Sequence, residues 1–438
     1  ASPPYTHVDA GRIWRWLRKA LRRAGARHAV EAVVPTAHGS AAALVADDPG
    51  NGGLVLPIMD YEAEPPDHVK EGYREIAPPY EEVFAPTNPG GLTLGRQLYW
   101  QATAFPEAFA RTRHILLHPQ YWGWRLTGQA VTEVTSLGAQ THLWNPRVGD
   151  YASLVTSQGW RAMFPPMRKA WEILGPLAPE VATATGLSPG TPVLCGIHDS
   201  NANYLRYLAA GMTDFTLMSA GTWLIAFNHS QPLEELREAY DTVSNTDLNG
   251  HPVACSRFMA GREFEHLAGP DAEATATTAD VERVIAAGTM ALPSFTDSGG
   301  PVPGSGGRGR IVGPAPTSHG ARLGLANLYT ALMSQLSIEL IGAAEDVIID
   351  GGFASNELYC QLVAALRPGS RVMISGEGEG TARGAALLWR WRERREPARV
   401  GLSRIEAPRI AGLDAYVAAW RRHAEAGALP RGVPPCAS

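Results

Sequence analysis

The sequence predicts an α/β protein of two domains, and three observations lead there. At 438 residues the chain exceeds what one hydrophobic core usually serves. Apolar runs end in Gly-containing turns and give way to helical periodicity, as in Val347-Ile348-Ile349-Asp350-Gly351-Gly352-Phe353 ahead of the stretch from Asn356 to Leu366. One such junction carries a carboxylate. Pro192-Val193-Leu194-Cys195-Gly196 reads as a strand and Asn201 onward as a helix, with Asp199 where one becomes the other.

The elements follow in order. Asp9 caps a helix to about Arg23, with Ile13, Trp14, Leu17 and Leu21 on one face. Val30 to Pro35 reads as a buried strand that turns at Thr36-Ala37-His38-Gly39. Ala41 to Val45 and Leu54 to Ile58 flank Gly50-Asn51-Gly52-Gly53 and read as a hairpin. After Pro-rich loops, helices are expected at Leu94 to Thr103, Pro106 to Arg111, and Pro119 to Leu126, the last stopped by Gly128. The helix from Asn201 ends near Gly211, which places the boundary between domains 1–210 and 211–438. The second domain opens with strands at Phe215 and at Trp223 to Asn228. Helices follow around Arg262 to Leu267 and Thr278 to Ala287. The Gly-rich stretch from Ser298 to Gly309 reads as a mobile loop, and Ala321 to Ala344 as a long helix. Beyond Asn356 to Leu366 come a strand at Val372 to Ser375 and a helix from Thr381 to Arg392.

Composition narrows the function. A formal net charge of −5 leaves no basic footprint for nucleic acid. No apolar run of membrane-spanning length and no charged-then-apolar leader is seen, so a cytoplasmic protein with no membrane partner is expected. The four cysteines, Cys195, Cys255, Cys360 and Cys436, lack metal-ligand spacing and read as free thiols or bystanders.

The chemistry suggested is phosphoryl transfer to an alcohol, which needs a carboxylate to take a hydroxyl proton and backbone amides to hold phosphates. Asp199 suits the first role, with His198 beside it for a hydroxyl; capping of the next helix is the alternative reading. Gly221-Thr222, after the strand Phe215 to Ala220, and Gly351-Gly352 with Asn356 suit the second, with plain turns as the alternative. His38-Gly39 at a strand end is a candidate substrate contact, and Asp60-Tyr61-Glu62 places two acids on one face of an extended segment. Gly378-Glu379-Gly380-Thr381 reads as a helix start reaching toward a nucleotide.

These motifs, in this order, resemble the FGGY family of carbohydrate kinases. The resemblance runs from Pro4-Tyr5-Thr6-His7-Val8-Asp9 through Thr36-Ala37-His38-Gly39, Tyr121-Trp122-Gly123-Trp124-Arg125-Leu126-Thr127-Gly128 and Thr132-Glu133-Val134-Thr135-Ser136 to Gly196-Ile197-His198-Asp199. It continues with Ser219-Ala220-Gly221-Thr222-Trp223, Asp350-Gly351-Gly352-Phe353-Ala354-Ser355-Asn356 and Glu379-Gly380-Thr381-Ala382-Arg383-Gly384. The resemblance implies two ribonuclease-H-like lobes of the actin/hexokinase/Hsp70 superfamily with a cleft between them. The first lobe would bind sugar and the second ATP with Mg2+. By it, Asp199 matches the catalytic base and His38, Gly39 and His198 match sugar contacts. Gly221 and Thr222 match the turn that meets the ATP phosphates, and Gly351, Gly352 and Asn356 the adenosine turn. His-Asp at the base is similar to the rhamnulose and fuculose kinases, which implies a 6-deoxyketohexose or ketopentose phosphorylated on a terminal hydroxyl. Dimers are common in the family, so a homodimer is an expectation.

Two departures qualify the resemblance. Family members open with a strand, an Asp-x-Gly-Thr-type phosphate loop and a second strand, and nothing equivalent precedes Ala1 here. The expectation is an absent amino-terminal piece, with a catalytically defective sugar- or nucleotide-binding protein as the alternative. Asp60-Tyr61-Glu62 stands where many members carry Trp-x-Asp-x-Arg, and no residue is assigned to the metal.

Overall fold

The computed structural model describes residues 5–47, 50–269, 275–298, 300–376 and 378–426. Pro4, Gly299 and Cys436, each part of an expectation above, lie outside them. The chain forms two compact units: residues 1–211, 244–252 and 379–398 make the first, and 212–243, 253–378 and 399–438 the second.

In the first unit the helix Ala10–Gly25 begins as its sequence requires, with Asp9 Oδ1 accepting from Arg12 N at 2.8 Å. Its Ile13, Trp14 and Leu17 pack on Ala41, Ala43, Val45, Leu116 and Tyr121. Two expectations here change. The strand expected from Val30 shrinks to a bridge at Val33 with Val193 and a two-residue strand, Thr36–Ala37. Val30 and Val33 pack on one core cluster and Ala32 and Val34 on another, and the backbone pairs only where it meets the segment leading to Asp199. Ala42–Val45 is a strand, but its partner is His114–Leu117, antiparallel; Leu54 contributes one bridge to Val45. The apolar His114–Leu117 run offers a longer ladder than the segment across the glycine turn. Leu94–Ala104, Pro106–Phe109 and His118–Thr127 are helical, the last ended by Gly128 at φ +77°.

The carboxyl end of the first unit's sequence returns late. Gly380–Ala386 is a helix packed on Asp199–Ala209. It is shorter than the Thr381 to Arg392 expected, because Arg390 sits at φ +57° and breaks the run. The two helices touch at Gly384, where a Cβ would overlap the carbonyl of Ala202.

In the second unit one sheet runs Pro252–Phe258, Leu224–Asn228, Phe215–Ala220, Asp346–Asp350, Arg371–Ser375 and Leu402–Arg404, in that neighbour order. Phe215–Ala220, Asp346–Asp350 and Arg371–Ser375 are parallel neighbours, and their apolar runs are those expected of strands covered on both faces. The helix His319–Glu339, capped by Ser318, ends five residues before the Ala344 expected. It is buried nearly all round, which its leucine-rich sequence allows. The Gly-rich stretch is tied down: Glu263 accepts from the amides of Phe295 and Thr296 and from the hydroxyls of Thr296 and Tyr329. Gly307 N donates to Thr296 O and Gly309 N to Ser294 O. Among the described residues no helix is long and apolar enough to cross a membrane.

Two predictions follow from this packing. Gly384→Ala forces two helices apart and should destabilise the protein by about 1–3 kcal/mol, read as a lower thermal midpoint. His142 is buried, bonded to Tyr73 Oη and Ala85 O, and burial pushes its pKa down to about 4. The unfolded ring takes a proton below its ordinary 6.5, while the folded ring resists until about 4. Stability present above pH 6.5 should therefore fall by up to about 3 kcal/mol on the way down to pH 4. Denaturant titrations at pH 7 and 4.5 measure it, and His142→Gln should flatten that part of the slope.

Candidate active site

The first unit assembles a cluster of imidazoles and carboxylates from segments far apart in sequence. Ile197–His198 pairs parallel with Thr36–Ala37, in the register Thr36 with Ile197 and Ala37 with His198. Thr36 Oγ1 donates to Ile197 O at 2.9 Å, which locks that register. His38 and Asp199, the next residue on each side, therefore leave the pair together. Gly196 makes the approach possible, with φ +88° and no room for a Cβ beside the Pro35 carbonyl.

Asp199 is the first residue of the helix Asp199–Ala209 and its side chain is 39% exposed. Its Oδ1 accepts from Ser200 N at 2.6 Å and lies 3.2 Å from His198 Nε2. Oδ2 has no partner among the described residues. The helix is not capped by a side-chain hydrogen bond from its N-cap residue, His198. Thus Asp199 is held by one oxygen and offers the other.

His198 is buried and fixed from two sides. Its amide donates to Thr135 Oγ1 at 3.1 Å, and Thr135 Oγ1 in turn donates to Glu133. Asn201 Nδ2 donates to Thr246 O at 2.6 Å, so its Oδ1 is the acceptor for His198 Nδ1, 2.7 Å away. Glu133 is wholly buried; burial pushes its carboxyl up, against bonds from Thr135 and Ser136 that pull it down. Gly39 lies under His198: a Cβ there would stand 3.3 Å from the ring and 2.5 Å from Ala139 Cβ.

His38 is clasped edge-on by Tyr61, with ring centroids 5.2 Å apart, and by His118, 4.6 Å apart. Burial pushes His38 below the ordinary histidine value, the charges of Asp199 and Asp60 pull it up, and His198 pushes it down. Burial drives His118 down to about 3. Of the Asp60-Tyr61-Glu62 pair of acids, Asp60 acts on His38, while Glu62 is exposed and uses its amide to bond Asp60 Oδ1.

In the second unit Ser219 pairs with Asp350 across parallel strands, so the Gly221-Thr222 and Gly351-Gly352 turns emerge side by side. Such turns at the carboxyl ends of parallel strands are where ligands of open α/β sheets sit. A Cβ on Gly221 would meet nothing within 4 Å, and Thr222 is exposed. Gly351 has φ +85°, and a Cβ there would come 2.6 Å from Ala220 O. Asn356 is occupied: Oδ1 accepts from Tyr359 N as a helix cap, and Nδ2 donates to Asn327 Oδ1. Gly378 falls in the second unit, while Glu379, Gly380 and Thr381 fall in the first. There Gly380 abuts Asn203 and Arg206.

Sequence reasoning missed His118, Thr135 and Asn201 as site neighbours. Asn201, two residues beyond Asp199, carried the only usable signal; the other two are brought in by folding.

Comparisons with known proteins identify the family. Residues 91–205 match the N-terminal domain of the FGGY family of carbohydrate kinases, and residues 212–397 match the carbohydrate kinase FGGY C-terminal domain. A solved carbohydrate kinase from Novosphingobium aromaticivorans is 34% identical, with a TM-score of 0.86 over 96% of this chain and 90% of that one. A xylulose kinase from Rhodospirillum rubrum, 18% identical, shares the fold at a TM-score of 0.77 over 97% of this chain and 91% of that one. Among curated proteins, a probable L-xylulose kinase of Pasteurella multocida is 32% identical over 144 residues, 32% of this chain and 29% of that protein. An L-xylulose/3-keto-L-gulonate kinase of Escherichia coli is 29% identical over 182 residues, 40% of this chain and 33% of that protein. The chain thus spans about a third of the length of these curated relatives. With both domains of one family matched in chain order and a related structure matched along nearly its whole length, the chain belongs to the FGGY family of carbohydrate kinases.

Proposed function

We propose that the protein phosphorylates a ketose on a terminal hydroxyl with ATP as donor, and that Asp199 is the general base. The single observation that carries the reading is the state of Asp199. It is a half-exposed carboxylate anchored through Oδ1 and free at Oδ2, flanked by His38 and His198, in a chain of this family.

The reaction moves one proton and one phosphoryl group. The sugar hydroxyl gives its proton to Asp199 Oδ2 as its oxygen bonds the γ-phosphorus; the bond to the bridging oxygen breaks and ADP leaves. His38 and His198 hold the sugar by neighbouring hydroxyls, with Gly39 letting the His198 ring and Ala139 pack closely beneath. Gly221 and Thr222 form the turn for phosphates, with open space at Gly221 although its amide donates to Trp223 O, and Gly351 and Gly352 the neighbouring turn for adenosine. Asn356 supports that turn as a helix cap. Magnesium bound with a nucleotide takes one or two protein carboxylates besides phosphate oxygens and water. The ion would supply neutralisation of phosphate charge; Asp199 Oδ2, the proton acceptor, is not assigned to it. The names of the relatives, L-xylulose and xylulose kinases, favour a ketopentose; a 6-deoxyketohexose such as L-fuculose or L-rhamnulose remains in the same substrate class.

Asp199→Asn keeps size and the Ser200 contact but cannot take a proton. Sugar-dependent ADP formation should fall by about 10²–10⁴-fold with an unchanged thermal midpoint. Near-normal turnover would falsify the assignment. Gly351→Ala places a side chain at positive φ and against Ala220 O. It should raise the KM for ATP while leaving the KM for sugar unchanged, measured by initial rates with each substrate varied in turn.

A further inference from the structure

His118 is the buried ionisable group the mechanism leaves unused. It is 7% exposed, yet neither ring nitrogen has a hydrogen-bond partner among the described residues, and neither does His38 Nδ1 beside it. Leaving polar atoms unsatisfied in a protein interior is costly, and a phenyl ring would fill the same space without that cost. The two imidazoles meet edge-on at 4.6 Å, and the charge of Asp199 acts on both.

We propose that His118 and His38 form a specificity-determining pair whose unsatisfied nitrogens are bonded by a hydroxyl of an uncharged polyhydroxy substrate, in preference to its carboxylate-bearing analogue. The inference rests on the kinase reading and deepens it. The groups facing His38 are Tyr61, His118, His198, Asp60 and Asp199; those acting on His118 are His38 and Asp199. No arginine or lysine is among the charges acting on either ring. Burial holds His118 neutral at physiological pH and disfavours charge on His38. A neutral imidazole is both donor and acceptor, the match for a hydroxyl. A substrate carboxylate would meet two aspartates and no fixed cation.

The test is calorimetric titration of the full chain with L-xylulose and with 3-keto-L-gulonate, which is L-xylulose bearing a carboxylate on C1. Wild type should bind the neutral ketose more tightly, and His118→Phe should weaken that binding by about tenfold without lowering the thermal midpoint. His118→Gln, which keeps a donor and an acceptor, should recover most of the affinity. The proposal is overturned if His118→Phe binds L-xylulose as wild type does, or if wild type prefers the acid. A His118→Phe chain that does not fold overturns it too, since the nitrogens would then serve the fold. If wild type binds neither sugar, the ketopentose choice within the kinase reading is at fault, and the same variants are then titrated with L-fuculose.

Discussion

Two rungs of parallel pairing determine where the chemistry can be. Thr36 and Ala37 against Ile197 and His198 make a very short ladder, yet its register decides that His38 and Asp199 exit as neighbours. A slip of one residue would turn one of these side chains to the opposite face. The ladder is too short to hold itself. It is kept by the Thr36 hydroxyl on Ile197 O, the Gly196 close approach to Pro35, and the Thr135 hydroxyl on the His198 amide. Each of these contacts joins segments about 60 or 160 residues apart, so the site is a product of tertiary packing and not of any local motif.

That dependence explains what could be read from sequence. Strand-turn-helix junctions at Asp199 and at Gly351 were visible because period and turn chemistry change within a few residues. The cap at Asp9 and the stop at Gly128 are equally local, and both stand. The Ala42–Val45 strand was visible, but its longer partner His114–Leu117 was not, because the glycine turn offered a nearer partner that pairs only by a bridge at Leu54. His118 had no signal at all: its importance comes from the ring it touches, and a histidine at a helix start has no periodicity of its own. Asn356 shows the reverse. It stands in a family motif, yet its amide is consumed by a helix cap and by Asn327.

The burial of so many polar groups around one half-exposed aspartate has an electrostatic purpose. Glu133, wholly buried, is pushed by burial toward its neutral form and gains four hydrogen bonds in return. His38 and His118 are pushed toward neutrality by the same cause. Because burial acts against charge on His38 and His118, neither adds a fixed positive charge beside Asp199, whose Oδ1 already has His198 Nε2 at 3.2 Å. A base whose second oxygen were ion-paired to an arginine would be a weaker proton acceptor and a sterically blocked one.

The second unit repeats the geometric device with different chemistry. Again a parallel register, Ser219 with Asp350, sets two turns side by side, and again a glycine at positive φ passes under a carbonyl, here Gly351 beneath Ala220. In the first unit the turn delivers ionisable side chains; in the second it delivers glycines, with open space where a Gly221 side chain would be. Under the proposed kinase reading the difference suits what each ligand asks for. A sugar hydroxyl needs a proton acceptor and directional donors, whereas a polyphosphate is bound well by converging amides that only glycine leaves uncovered. The same strand-end geometry can therefore serve both halves of a phosphoryl transfer, with the residues at the turn deciding which half.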